Sequence, residues 1–165
     1  QSIIAEFDRA LAEAYQQRRE LLTAFRLTIE QADLVQAMQA MIAPLQEQSH
    51  ASITFDYQSG LQTLDAQQQV HVLQIAREAL LNAIRHAQAQ QIHIYYQRDA
   101  DASHLLTIED DGCGNRSLEE PPGHYGLTIM AERAARLSGS LQVTPQAQGT
   151  CVTLRFPPRP AHRLV

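Results

Sequence analysis

With 165 residues, 44% of them hydrophobic, the sequence can bury one good core and little beyond it. Its formal net charge is -5 with acidic and basic residues interspersed, so no basic stripe is present to neutralise a phosphate backbone, and nucleic acid is not an expected partner. All 13 cationic side chains are arginines, which excludes the Walker phosphate loop, the strand lysine of eukaryotic-type protein kinases and Schiff-base catalysis.

The opening residues, from Ser2 to about Thr28, carry a heptad seam: Ile4, Leu11 and Phe25 at one position, Phe7, Ala14 and Leu21 at the other, interrupted by Arg18. The seam predicts a helix that packs either in its own domain or in a helical dimer. No N-cap precedes Ile3, so the expectation is a segment, residues 1–30, that opens inside a longer helix. Asp33 predicts the cap of a second helix reaching about Gln48, with Leu34, Met38, Met41, Ile42 and Leu45 on one face. A strand follows over Ser52–Tyr57, then a turn at Gly60 and a long helix from Asp65 through Val70, Leu73, Ala76, Leu80, Ala83 and Ala87.

Two strands, Gln91–Gln97 and His104–Asp110, read as a hairpin turning through Asp99, Ala100 and Asp101. From Asp111 to His124 the chain is irregular and rich in Gly and Pro. A helix from Gly126 to Leu137 and two strands, Ser140–Thr144 and Thr150–Phe156, complete residues 31–157, and 158–165 are expected to form a disordered tail. This order predicts a two-layer α/β sandwich: a mixed, largely antiparallel sheet with its helices on one face, plus the N-terminal helix.

Cys113 and Cys151 form no CxxC pair, and the seven scattered histidines give no metal-ligand spacing, so a reducing cytoplasmic setting fits. No apolar run approaches the roughly 20 residues that span a bilayer, and direct membrane contact is not expected.

Four features carry chemistry. On the long helix, Gln74, Glu78, Asn82 and either Arg85 or His86 recur every three to four residues as a polar stripe. The Asn82 amide oxygen suits a hard cation such as Mg²⁺; Glu78 suits a metal-bound water or a proton; Arg85 and His86 suit phosphate oxygens. Strand parity puts Asp110 on the face of Leu106 and Ile108, at the edge of a core, where an adenine amino group would satisfy it and Gly112 and Gly114 would let a flat base approach. Gly123 and Gly126 punctuate a loop feeding a helix whose first amides, at Gly126, Leu127 and Thr128, attract anions. Thr150 shares the face of Val152, Leu154 and Phe156, another polar group on the core side. Singly, each has a plainer reading: a solvated helix face, an Asp-capped turn, an ordinary helix start, a structural threonine.

Together, in this order and spacing, they resemble the N, G1 and G2 boxes and terminal Gly-Thr of the ATPase fold shared by histidine kinases, gyrase, Hsp90 and MutL, the Bergerat-type fold, over about Ala66 to Pro157. The run Arg77-Glu78-Ala79-Leu80-Leu81-Asn82-Ala83-Ile84-Arg85-His86-Ala87 is similar to the N box of small, short-lid sensor kinases, as is Gly123-His124-Tyr125-Gly126-Leu127 with Met130, Glu132 and Arg133. Leu21-Leu22-Thr23-Ala24-Phe25-Arg26-Leu27 is similar to the linker after the dimerisation hairpin of bacterial nitrate/nitrite sensor kinases.

The resemblance implies ATP and Mg²⁺ as cofactors, Asp110 on the adenine amino group, Asn82 on the cation, Glu78 in the metal-water network and a lid over residues 115–122. It further implies a phosphoacceptor histidine on the dimerisation domain, a response regulator as onward partner, and a homodimeric parent in the bacterial inner membrane. Asp111 replaces the family's common Asn and Arg85 its frequent lysine, so the adenine contact would pass to Asp111 if the register slipped by one. None of the seven histidines has the His-Asp/Glu context of a phosphoacceptor, so the chain is expected to supply the ATP half of the reaction. Rival readings are a Rossmann methyltransferase loop at Asp110–Gly114, for which too few strand-helix units follow, a non-catalytic dimerisation module, and an ATP hydrolase of the same superfamily.

Overall fold

A computed structural model describes residues 2–30, 33–113 and 126–160. Among the described residues, four helices and five strands follow one another as α1 (Ser2–Glu30), α2 (Leu34–Gln48), β1 (Ser52–Tyr57), α3 (Ala66–Arg85), β2 (Gln91–Arg98), β3 (His104–Asp110), α4 (Gly126–Arg136), β4 (Ser140–Pro145) and β5 (Thr150–Phe156). The expected element boundaries hold to within about two residues, the usual fraying range at element ends.

Local chemistry fixes the two helix starts that matter most. The Asp33 carboxylate accepts from the Val35 amide (3.0 Å), which opens α2. At α3 a capping box forms: the Gln68 amide donates to Asp65 Oδ1 (2.7 Å), and the Asp65 amide donates to Gln68 Oε1 (3.1 Å). Arg159, just beyond β5, ion-pairs with Asp65, so the start of the segment expected as a tail lies against this cap.

The strands form one sheet in the order β1-β2-β3-β5-β4. β1 and β2 run parallel, which the crossover through α3 makes possible, and every other neighbour is antiparallel. Period-two alternation sends Ile53, Ile92, Ile94, Tyr96, Leu106, Ile108, Val152, Leu154 and Phe156 to one buried face. Helices α2, α3 and α4 cover that face, and α3 contributes Val72, Leu73, Ile75, Ala76 and Leu80 to the shared core. This is the expected two-layer sandwich.

α1 lies against α2 and α3, yet its seam residues Ile4 (71% accessible), Phe7 and Leu11 are exposed. Packing within its own domain, one of the two expectations for this seam, does not hold at these positions.

One buried polar pair sits among the apolar side chains. His104 is fully buried, its ring stacked on Phe156 (4.7 Å between centroids), and Tyr96 Oη lies 2.8 Å from its Nδ1. Burial pushes the Tyr96 phenol well above its ordinary range, so it stays protonated and donates, which leaves the imidazole proton on Nε2. Burial also holds His104 below its ordinary value of 6.5. The unfolded chain therefore binds more protons than the native one below pH 6.5: native stability is full above that pH and declines as pH falls beneath it. Urea midpoints should fall from pH 7 to pH 5, with a slope from this residue of at most about 1.4 kcal/mol per pH unit, and a His104→Phe variant should lose that part of the dependence.

Candidate functional site

The polar stripe of α3 faces α4. Gln74 is buried, Glu78 and Asn82 are half-buried, and Arg85 and His86 are exposed at the helix end. Gly126, the first residue of α4, sits directly on this stripe: a Cβ there would lie 3.2 Å from Glu78 Oε2 and within 3.7 Å of both side-chain termini of Asn82. A Cβ there would require the Glu78 carboxylate to give by a few tenths of an ångström. The tertiary packing thus joins two motifs separated by more than forty residues of chain.

Asp110 and Thr150 stand directly opposite each other in the β3–β5 ladder, both on the core face. Asp110 is half-buried, and its carboxylate accepts from the amides of Gly112 (2.9 Å) and Thr150. Burial raises its pKa above the ordinary 3.8; the two amides oppose this, and the neighbouring Asp111 charge adds to it. A carboxylate drawn out of water in this way has acceptor capacity left for a further donor.

Asp111 has a different task. Its Oδ1 accepts from the amides of both Gln90 and Gln91 (each 2.9 Å), and these bonds hold its pKa below the ordinary value. The side chain fastens the end of β3 to the turn between α3 and β2. Of the two adjacent acids, Asp110 faces inward beside Thr150, while Asp111 ties the end of β3 to Gln90 and Gln91 and lines the neighbouring cavity.

Two glycines keep this corner closed. Gly112 abuts Ala87 at the end of α3, where a Cβ would come 2.5 Å from the Ala87 Cβ, and the Cys113 amide donates to the Ala87 carbonyl (2.9 Å). Gly149 has φ +90° and rests on the Asp110 carbonyl, which a Cβ would overlap. Sequence reading missed the part played by Ala87 and Gly149; the Gly149-Thr150 pair was the available signal, but its contact with Asp110 is made across strands. A cavity of about 550 Å³ opens beside this corner, between Gln88, Gly112, Cys113 and the β4–β5 turn, adjoining the cluster without including Glu78, Asn82 or Asp110 in its wall.

Leu127 is half-buried against the core and Thr128 is exposed, both in the first turn of α4. Gly114, Gly123 and the lid expected over 115–122 lie outside the described residues. Among the described residues no cluster of three or more His, Cys, Asp or Glu is placed to hold a metal, and no helix is long and apolar enough to cross a membrane.

Residues 67–160 match the family model of histidine kinase-, DNA gyrase B- and HSP90-like ATPases. The chain belongs to this ATPase family. It is 50% identical over 157 residues to the nitrate/nitrite sensor protein NarQ of Escherichia coli, covering 94% of this chain and 28% of that protein. A sensor protein NarQ homologue of Haemophilus influenzae is 45% identical with the same coverage. The chain therefore spans less than a third of the length of these relatives. The fold is that of the blue-light activated histidine kinase of Erythrobacter litoralis, with a TM-score of 0.72 at 18% identity over 88% of this chain and 54% of that one.

Because Gly149 combines a left-handed backbone with a contact that leaves no room, Gly149→Ala should cost more than about 1 kcal/mol of stability. Gly60, also at positive φ (+75°) but with nothing near its missing Cβ, carries only the backbone strain, so Gly60→Ala should cost less. Urea unfolding of the two variants side by side checks the difference.

Proposed function

We propose that this chain binds Mg-ATP in the corner formed by α3, the ends of β3 and β5 and the start of α4, and serves as the ATP-binding half of a sensor histidine kinase. The observation that carries the reading is the half-buried Asp110 carboxylate, inward-facing beside Thr150 at the end of the β3–β5 ladder.

The donor set fits the cofactors. Asp110 would accept from the adenine amino group, with Thr150 beside it, and Gly112 would keep the backbone close to the base. Asn82 would hold the cation through its amide oxygen; a single protein ligand suits Mg²⁺, which keeps several waters and takes phosphate oxygens. The first amides of α4, at Gly126, Leu127 and Thr128, point their dipole at the same place, and Arg85 and His86 stand at the neighbouring end of α3 for phosphate oxygens.

When bound, the nucleotide supplies the phosphoryl group and the cation offsets its charge. The side chains position and stabilise: Asp110 fixes the base, Asn82 the triphosphate end, and Glu78 orders water at the cation or takes a proton. No covalent protein residue is needed in this chain. The acceptor would be a histidine on the dimerisation domain of the parent, a homodimer in the bacterial inner membrane with this domain on the cytoplasmic side. A response regulator would receive the group next. Similarity to nitrate/nitrite sensor proteins over 94% of the chain supports nitrate or nitrite as the parent's signal.

Calorimetric titration with a non-hydrolysable ATP analogue and Mg²⁺ should show one site. Asp110→Asn and Asn82→Asp should each weaken binding tenfold or more, roughly the value of a hydrogen bond to a charged group, whereas Asp111→Asn should bind within a few-fold of wild type. A folded wild-type chain that gives no heat sinks the nucleotide reading. Affinity should also drop as pH is lowered, at a pH above that of an ordinary Asp because burial raises the Asp110 carboxyl; a profile flat down to pH 4 would contradict the role of Asp110. Labelled ATP and a dimerisation fragment supplied in trans test transfer: label on its histidine is expected, and phosphate released to water instead would mark a hydrolase.

A further inference from the structure

Ala87 follows the cap residue of α3 and is held from two sides. The amides of His86 (3.0 Å) and Ala87 (3.1 Å) both donate to the Asn82 carbonyl, and the Ala89 amide donates to the Ala83 carbonyl (3.0 Å). Gln88 takes φ +51° to make this turn, a left-handed conformation that costs free energy for any residue but glycine. Ala87 is thereby fixed to the backbone of Asn82.

On its other side Ala87 carries the loop that follows β3. Its carbonyl accepts from the Cys113 amide (2.9 Å), and a Cβ on Gly112 would come 2.5 Å from both the Ala87 Cβ and the Ala87 carbonyl oxygen. The contact is with backbone and a methyl group, so no rotamer change can relieve it. Gly112 in turn donates its amide to Asp110 Oδ1 (2.9 Å). One unbroken run of contacts leads from Asn82 through Ala87 and Gly112 to Asp110. Ala87 is only partly buried and is not among the side chains of the apolar core, so its methyl adds little through burial. Its small size instead lets the end of α3 and the loop meet.

The base and the phosphates of a nucleotide are joined covalently, so a site that grips both must hold its two grips at one separation. We propose that Ala87 is a positioning residue for that separation: its contact with Gly112 sets how far Asp110, at the base end, stands from Asn82, at the cation end. This rests on the nucleotide reading above and adds to that site a residue that touches neither base nor phosphate. Gly112 then acts through Ala87 as well as beside the base.

The test compares Gly112→Ala, Ala87→Gly and the double variant with the wild-type chain. Each is titrated calorimetrically with a Mg-bound non-hydrolysable ATP analogue and by NMR with adenosine, and each is melted. Gly112→Ala drives a methyl into Ala87 and should weaken the analogue roughly ten- to a hundredfold, the scale of a misplacement of about an ångström. Adenosine occupies the base end alone and should lose much less, so the affinity ratio between the two ligands should shrink. Ala87→Gly removes a contact without forcing the chains apart and should cost less than Gly112→Ala. Added to Gly112→Ala, it clears the Cβ contact and leaves the carbonyl one, so part of the lost affinity should return.

An equal loss for both ligands in Gly112→Ala, or a loss that Ala87→Gly does not relieve, would mean that the new methyl obstructs the base itself, and would overturn the proposal. Unchanged analogue binding in Gly112→Ala would overturn it too. If Gly112→Ala melts below the assay temperature, Ala87→Ser and Ala87→Val carry the same comparison: the affinity ratio should fall as the side chain grows, and a ratio independent of its volume overturns the proposal. These outcomes, with wild type binding both ligands, remove this inference alone. A folded wild-type chain that binds neither ligand removes the nucleotide reading and this inference with it.

Discussion

The register of β3 against β5 is the constraint on which the rest of the corner depends. Because Asp110 pairs with Thr150, both polar groups end on the buried face, and because Gly149 precedes Thr150, its backbone can lie on the Asp110 carbonyl. A slip of one residue in either strand would turn that strand's polar side chain to the outer face and bring its core residues out with it. The same alternation that buries Leu106, Ile108, Val152 and Leu154 therefore aims the carboxylate. Core packing and site geometry are one requirement here, which is why a polar residue at the edge of the core can be held with accuracy.

α3 supplies the second half of the geometry. Its apolar side is fastened to the sheet, its start by the Asp65–Gln68 capping box, and its end by Gly112 and Cys113 against Ala87. With both ends and one face fixed, the polar stripe has a single orientation, toward α4. Asp111 strengthens the arrangement by tying the end of β3 to the turn through which α3 returns to the sheet. Two consecutive acids thus serve opposite sides, Asp110 facing the core edge beside Thr150 and Asp111 the turn before β2. Their pKa values move in opposite directions, upward for Asp110 through burial and downward for Asp111 through its backbone hydrogen bonds.

The contrast between α1 and the sandwich follows from hydrophobic bookkeeping alone. The sheet face and α2–α4 bury their apolar residues against one another, while Ile4, Phe7 and Leu11 of α1 keep theirs in solvent. The part of the heptad seam formed by Ile4, Phe7 and Leu11 is an apolar surface without cover among the described residues.

Much was legible in the sequence because it depends on neighbours along the chain. Period two in β2, β3 and β5, the caps at Asp33 and Asp65, and the three-to-four spacing of Gln74, Glu78 and Asn82 are local patterns, and they set the element order, the inward face of Asp110 and the polar stripe. The sequence also restricted the chemistry, since a chain without lysine that handles phosphates must use backbone amides, arginines and acids. Tertiary structure alone decided that Asp111 binds the amides of Gln90 and Gln91, that Gly126 rests on Glu78 and Asn82, that Arg133 meets His71, and that Ile4, Phe7 and Leu11 of α1 stay exposed. Those facts turn on distances between residues far apart in the chain, and only the packing of helices on the sheet sets such distances.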